Sequence, residues 1–385
     1  MGNAQTATAD FMTPQNTCTH EEALCRLRLL RSENVGPISF MHLINRYKTA
    51  KNALNHVQDH AVRGGRSKPL VLCKEEVAHE EQTKTKAFGA HFLYHDDNAY
   101  PECLRAIHDP PPILIYKGNL AHLSRHAIGI VGARNASLNG RKFAKKLAHD
   151  LSAQGYAITS GLARGIDAAA HEGSLDHATI ACVAGGIDTI YPPENKTLFE
   201  AVIQQGLLIS ETPFGIAPQA HYFPRRNRLI CGISRGLVVV EAALKSGSLI
   251  TSRLALEQGR EVFAVPGSPL DPRCQGTNGL IQKGATLVQS ANDIIQALQN
   301  QLFKPLKNDL PLFQESVSEN ISDHDLLLIQ KEILINLSPS PICIDELLRE
   351  CHFSSAVVAL VLLELELAGR ITRLPGNQVV LNIDC

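Results

Sequence analysis

The chain has 385 residues and a formal net charge of −1, long enough for two or three domains and too nearly neutral to be coated in positive charge. Its ten cysteines form no CxxC pair and no zinc-like spacing, so a reducing, cytoplasmic compartment is expected and a disulfide framework is not. No secretory apolar region and no stretch long enough to span a bilayer occurs, so no membrane partner is expected.

The opening MGNAQT fits the loose myristoylation pattern at Gly2, a short and common motif, and residues 1–17 are predicted to be a disordered tail. From His20 to about Val57 the apolar spacing is helical, interrupted by VGPISF, where Gly36 and Pro37 predict a tight turn. Two readings stay open there: a simple helical packing unit, or a module that sets a backbone hairpin against nucleic-acid phosphates. Residues 59–70 are predicted as a loop and 75–87 as a helix. The prolines at 110–112 forbid helix, and the following ILIY is predicted as an edge strand leading into the main sheet.

From residue 126 onward, strands and helices alternate at βαβ spacing. Strands are predicted at 127–132, 156–160, 179–184, 207–210, 237–241, 261–265 and about 285–288. Helices are predicted at 140–154, 167–174, 196–205, 226–233, 248–258 and 291–299. The strands are continuous apolar runs, as parallel strands covered on both faces require. The fold class is therefore α/β, with an extended, doubly wound, mainly parallel sheet of Rossmann type. Ligands of such sheets sit beyond the C-terminal strand ends. The unusual loops fall there: GARNAS (132–137), SGLARGID (160–167), GGIDTIYPPEN (185–195), SETPFG (210–215), EAALKSGSLIT (241–251) and VPGSP (265–269).

The dinucleotide fingerprint GxGxxG is absent from the first turn, and Ser160-Gly161 stands where a ribose-binding acid belongs. No GxxxxGK[ST] occurs either, so no nucleotide cofactor is expected. The HExxxxH pattern from His171 to His177 lacks the i, i+4 spacing of a helical zinc pair, so no metal is expected. The loops share glycine, small hydroxyls and cations, which make anion nests suited to successive phosphates of a polymer. HYFPRRNRLI (221–230) adds Arg225, Arg226 and Arg228 directly after Tyr222 and Phe223. Rings for base stacking beside arginines for phosphates are the composition of a single-strand groove. Against this stands Phe223 as a core residue with only one or two arginines facing the ligand.

Taken in order, GARNAS, SGLARGID, GGIDTIYPPEN, ISETPFG, FPRRNR, SGSLIT and VPG resemble the DNA-processing protein A (DprA, or Smf) family over residues 20–383, most densely over 95–290. The resemblance implies a bacterial protein that binds single-stranded DNA without catalysis and loads RecA recombinase onto incoming DNA in natural transformation. It further implies a homodimer formed through the Rossmann-like domain. Carried over position by position, the DNA contacts are Gly132, Arg134 and Ser137 in the first loop and Gly161, Ala163 and Gly165 in the second. Asp167 is expected to cap the following helix instead. Phe223, Arg225, Asn227 and Arg228 follow, then Lys245, Ser246, Gly247 and Ser248. Ala220 and His221 stand where some members carry a fixed cation, so a contact there depends on protonation of His221.

Residues 301–321 are predicted as a linker and 322–385 as three helices and a hairpin, a winged helix that also resembles the family's terminal domain. The domain plan is thus 18–86 helical, 87–300 Rossmann-like, and 322–385 winged helix. The third terminal helix is apolar or acidic, with Glu364 and Glu366, so a protein-contact or regulatory role is expected rather than duplex reading. One alternative is an enzyme of the phosphoribohydrolase type, which similar sheets support. The motif PGGxGTxxE is not matched, however: Leu254 occupies the glutamate position, and no second carboxylate accompanies Glu241 in sequence.

Overall fold

The computed structural model describes residues 19–301 and 323–382. Gly2, the predicted tail and nearly all of the predicted linker lie outside the described residues.

Four helices open the chain: α1 (His20–Leu30), α2 (Pro37–Tyr47), α3 (Ala50–Arg63) and α4 (Glu75–Ala87). Thr19 and Thr49 cap α1 and α3 by accepting bonds from backbone amides. Pro37 is the first helical residue of α2, after an extended Gly36. The Gly-Pro pair therefore starts a helix, where a missing N–H costs nothing, and the interruption is shorter than predicted.

The central unit runs β1 (His91–Tyr94), α5 (Glu102–Arg105), β2 (Ile113–Gly118), β3 (Ala127–Val131), α6 (Leu138–Ala153), β4 (Ala157–Ser160), α7 (Ile166–Ser174) and β5 (Thr179–Cys182). It continues α8 (Lys196–Gln205), β6 (Leu207–Ser210), α9 (Tyr222–Ile233), β7 (Ser234–Val239), α10 (Gly247–Glu257), β8 (Glu261–Ala264), α11 (Gln275–Gln282), β9 (Thr286–Leu287) and α12 (Ala291–Gln301). The sheet order is β1-β2-β6-β5-β4-β3-β7-β8-β9. All pairs from β6 to β9 are parallel, whereas β2 pairs antiparallel with β1 on one side and β6 on the other. The run ILIY is thus an interior strand, and the edge is the short β1. The prolines at 110–112 precede the strand and leave its own amides free to pair. Within the parallel part, β5-β4-β3-β7-β8-β9 is the doubly wound order with its reversal between β3 and β7. Ile128, Ile130, Ile158 and Val238 bury one face against α6 and α7, and Ile180, Ile209, Leu237 and Val239 bury the other against α9.

The terminal unit contains α13 (Asp323–Asn336), β10 (Ile342–Cys343), α14 (Ile344–Cys351), α15 (Ser355–Leu367), β11 (Ile371–Leu374) and β12 (Gln378–Leu381), with the strands in the order β10-β12-β11. Helix α15 is buried on the opening helices: Leu363 and Leu367 join the core of Leu29, Phe40, Leu43 and Val57. Its acids face the same way. Glu364 accepts from Arg63 Nε at 2.7 Å and lies 3.2 Å from His60 Nδ1, while Glu366 bonds Ser39 and Arg373. Among the described residues no helix is long and apolar enough to cross a membrane.

Candidate nucleic-acid interface

The loops after β3, β4 and β5 meet the start of α9 around a cleft of about 250 Å³. Its lining includes Arg134, Gly161, Ala163, Arg164, Tyr191 and Phe223. The loops are fitted tightly to one another. Gly132 packs on Ile166, and Gly165, at φ +78°, packs on the carbonyls of Ala133 and Arg134, leaving no room for a Cβ at either. Gly161 abuts the Arg226 guanidinium. These three glycines are therefore accounted for by loop-on-loop packing. Gly161 nevertheless lines the cleft, and Gly132 and Gly165 stay half-exposed.

Arg134 is exposed on the lip, its guanidinium carbon 5.3 Å from the Phe223 ring centroid. Tyr191 approaches the same ring at 5.6 Å, with the planes inclined by 56°. Two half-exposed rings and a cation thus share one wall. Ala163 and Arg164 also line the cleft, with Arg164 3.6 Å from Glu194 in an exposed pair.

Beneath the cleft, Arg226 is buried and donates to the carbonyls of Gly161 and Cys182, the latter at 2.7 Å. Asp167, also buried, lies inside the first turn of α7, whose cap position is Gly165, and accepts from the Gly161 amide at 3.1 Å; it ties down the preceding loop and does not cap the helix as expected. Burial pushes its carboxyl above the usual range, and Arg226 pulls the other way. Floor and loop are thereby fixed by largely buried polar groups, of which Arg226 also lines the cleft.

Other expected contacts fall elsewhere. Helix α9 starts four residues before the predicted helix, so FPRRNR lies on a helix that points its arginines in different directions. Arg225 is exposed. Arg228 is buried, held by Glu211 and lying 3.3 Å from Asp109 Oδ2, and is not available to a ligand. This corrects the expectation of a DNA contact at Arg228. Asn227 is half-buried and donates to Thr251 Oγ1 at 3.0 Å. Ser137 caps α6, accepting from the Gly140 amide at 2.9 Å, and donates its hydroxyl to Glu241 at 2.6 Å. It anchors the turn beside Arg134 and faces a carboxylate, not the cleft. Ser246 caps α10, with its hydroxyl 2.8 Å from that of the buried Ser248, while Lys245 and Gly247 are exposed. This second loop lies on the β7 side and does not line the cleft.

Sequence reasoning overlooked Tyr191 and Arg164 and left out Arg226. Tyr191 stands directly before Pro192-Pro193, a signal for a rigid loop that holds an aromatic outward.

Residues 91–299 match the family described as DNA recombination-mediator protein A. The chain belongs to this family. The flanking units match as well, residues 20–83 to the DprA-like N-terminal HHH domain and 324–377 to the DprA winged helix domain. Among curated relatives of this DNA recombination-mediator family, Protein Smf of Escherichia coli is 39% identical over 298 residues, spanning 77% of this chain and 78% of the relative. The DNA processing protein DprA of Bacillus subtilis is 46% identical over 202 residues, 52% of this chain and 68% of the relative. The crystal structure of DprA from Streptococcus pneumoniae superposes with a TM-score of 0.61 at 34% identity, covering 72% of this chain and 98% of that one. A structure concerned with the single-stranded DNA binding mode of Helicobacter pylori DprA gives 0.51 at 29% identity, covering 55% and 96%.

Proposed function

We propose that this recombination mediator binds single-stranded DNA in the cleft between the 132–137 and 160–167 loops and the start of α9, without chemical change to the strand. The observation that carries this is the Arg134–Phe223–Tyr191 wall, a cation and two partly exposed rings beside a cleft of about 250 Å³. Rings stack on any base, and a guanidinium takes the phosphate between bases, so the wall suits a strand of arbitrary sequence. Arg134, Ala163 and Phe223 are its contacts, joined by Tyr191 and Arg164. Arg225, Lys245 and Gly247 are exposed stations on either side along which the backbone continues.

The family membership supports the rest of the role: loading of RecA recombinase onto the bound strand, a homodimer through the central unit, and work in the cytoplasm. The winged helix contributes protein contacts, since its third helix is spent on the chain's own opening helices. The phosphoribohydrolase alternative gains nothing from the geometry, because Glu241 bonds Ser137 rather than facing the cleft. Titration of a fluorescent oligothymidylate tests the proposal. Saturable binding that competes with unlabelled single strands but not with duplex is expected, and equal competition by duplex would reject it.

A further inference from the structure

In a doubly wound sheet the ligand crevice opens where the strand order reverses, and the first helix after the reversal offers its N-terminal amides to a phosphate. Here the reversal lies between β3 and β7, so that seat is the start of α6. The cleft described above is displaced from it, toward β4 and β5. Something else fills the seat. Glu241, from the loop after β7, directs its carboxylate onto the first turn of α6: Oε2 accepts from the Ser137 amide at 2.9 Å and Oε1 from the Ser137 hydroxyl at 2.6 Å. The fit is close, since a Cβ at Gly140 would lie 2.5 Å from Oε1. Glu241 is only 6% exposed, and among the described residues no lysine or arginine forms an ion pair with it. Arg273 on the neighbouring loop pairs with Asp271 instead, at 2.8 Å. A buried carboxylate without a cationic partner must be held by hydrogen bonds and the positive end of a helix, and both are supplied by α6. The contacts are those that a bound phosphate would make.

We propose that Glu241 is a specificity-determining residue, a built-in anion that occupies the phosphate seat at the sheet's reversal point and so excludes free nucleotides and pyrophosphate from it. The sheet keeps the fold of a nucleotide binder while the adjoining cleft offers an open anion-binding surface. The second half of this statement rests on the proposed DNA-binding cleft; the occupied seat does not.

The test uses the full chain and sodium pyrophosphate, by calorimetry and by amide NMR. Glu241→Ala empties the seat and is expected to bind pyrophosphate at least tenfold more tightly than the wild type, with the Ser137 and Gly140 amide resonances shifting on titration. Glu241→Gln keeps the bulk and the acceptor for the Ser137 amide but removes the charge, and a gain of at least threefold is expected. Should the alanine variant fail to fold, the glutamine variant decides by the same criterion. Folded variants with no gain, or a gain without shifts at Ser137 and Gly140, overturn the proposal. If pyrophosphate binding rises while Arg134→Ala leaves oligothymidylate binding intact, the seat stands and the cleft falls.

Discussion

The Arg134 guanidinium carbon sits 5.3 Å from the centroid of Phe223, tying the first loop of the parallel sheet to the start of α9. A cation–π contact at an exposed site contributes only ~0.5–1 kcal/mol, enough to orient a side chain and too little to withdraw it from a ligand. The donors of Arg134 are thus held at the lip with their outer edge free for a phosphate. Arg134→Ala is expected to weaken oligothymidylate binding and to lower the slope of log K against log salt by roughly 0.7, the share of one single-strand phosphate. Affinity measured from 50 to 300 mM salt checks this. An unchanged affinity with an unchanged slope would make the turn purely structural.

Phe223 is half-exposed and meets Tyr191 at 5.6 Å, so it can offer a face to a base without leaving a packed core. Phe223→Ala should cost roughly 1–3 kcal/mol of strand binding, with Phe223→Tyr close to wild type. The melting temperature should change little. A large drop in melting temperature with binding preserved would mean that the ring serves the fold.

The alternation of apolar runs with amphipathic segments was enough to place the parallel strands, because both-face burial imposes continuous Val, Ile and Ala runs on each of them. The loops that build the cleft were also legible, since a doubly wound sheet puts its ligand loops at one edge. What the residues alone could not decide was direction. Arg225, Arg226 and Arg228 look alike in a string, but on α9 one faces solvent, one supports the cleft floor and one is sealed against Asp109 and Glu211. Those partners lie far away in sequence, and the helix phase depends on a start at Tyr222 that Pro224 conceals. Ser137 was misread for a related reason. A capping serine and an anion-binding serine have the same signature until the far loop carrying Glu241 is seen to close over it.

Arg228 gives the converse prediction. The residue is 2% exposed, with Glu211 and Asp109 on its guanidinium, which donates to the Asp109 carbonyl at 2.6 Å. Removing one member of such a buried group strands the others, so Arg228→Ala should destabilise the fold by about 3–5 kcal/mol. Urea denaturation measures the loss. Any surviving folded fraction should bind oligothymidylate with normal affinity, whereas selective loss of binding in a stable protein would return Arg228 to the interface.

The terminal unit should matter for stability and not for strand binding. Leu363 and Leu367 complete the core of α2 and α3, and Glu364 bonds Arg63 beside His60. A chain ending near residue 300 is expected to retain most of its oligothymidylate affinity but to show an earlier melting transition as the uncovered helices loosen. Glu364→Ala in the full chain leaves the Arg63 Nε–H beside the buried His60 without its acceptor, at about 1–3 kcal/mol. A large loss of strand binding in a monodisperse truncated sample would assign DNA contacts to the winged helix.

Acid should destabilise the central unit through its buried histidines. Burial, aided by the Arg226 charge, pushes His171 down to about 3, and burial and nearby arginines bring His95 to about 4. His171 is fully enclosed between α7 and β5, with Nδ1 2.7 Å from Thr179 Oγ1. The unfolded chain takes up its proton near the ordinary value of about 6.5, while the folded chain refuses it until far lower. Between those values the unfolded state binds more protons, so stability rises with pH, and lowering the pH removes it. The contribution of His171 is fully present above pH 6.5 and falls by about 1.4 kcal/mol for each pH unit below. Urea midpoints at pH 7.5, 6.0 and 5.0 should therefore fall in step. His171→Asn, which keeps an acceptor for Thr179 and cannot take the proton, should flatten that dependence, and an equally steep decline in the variant would place the acid sensitivity elsewhere.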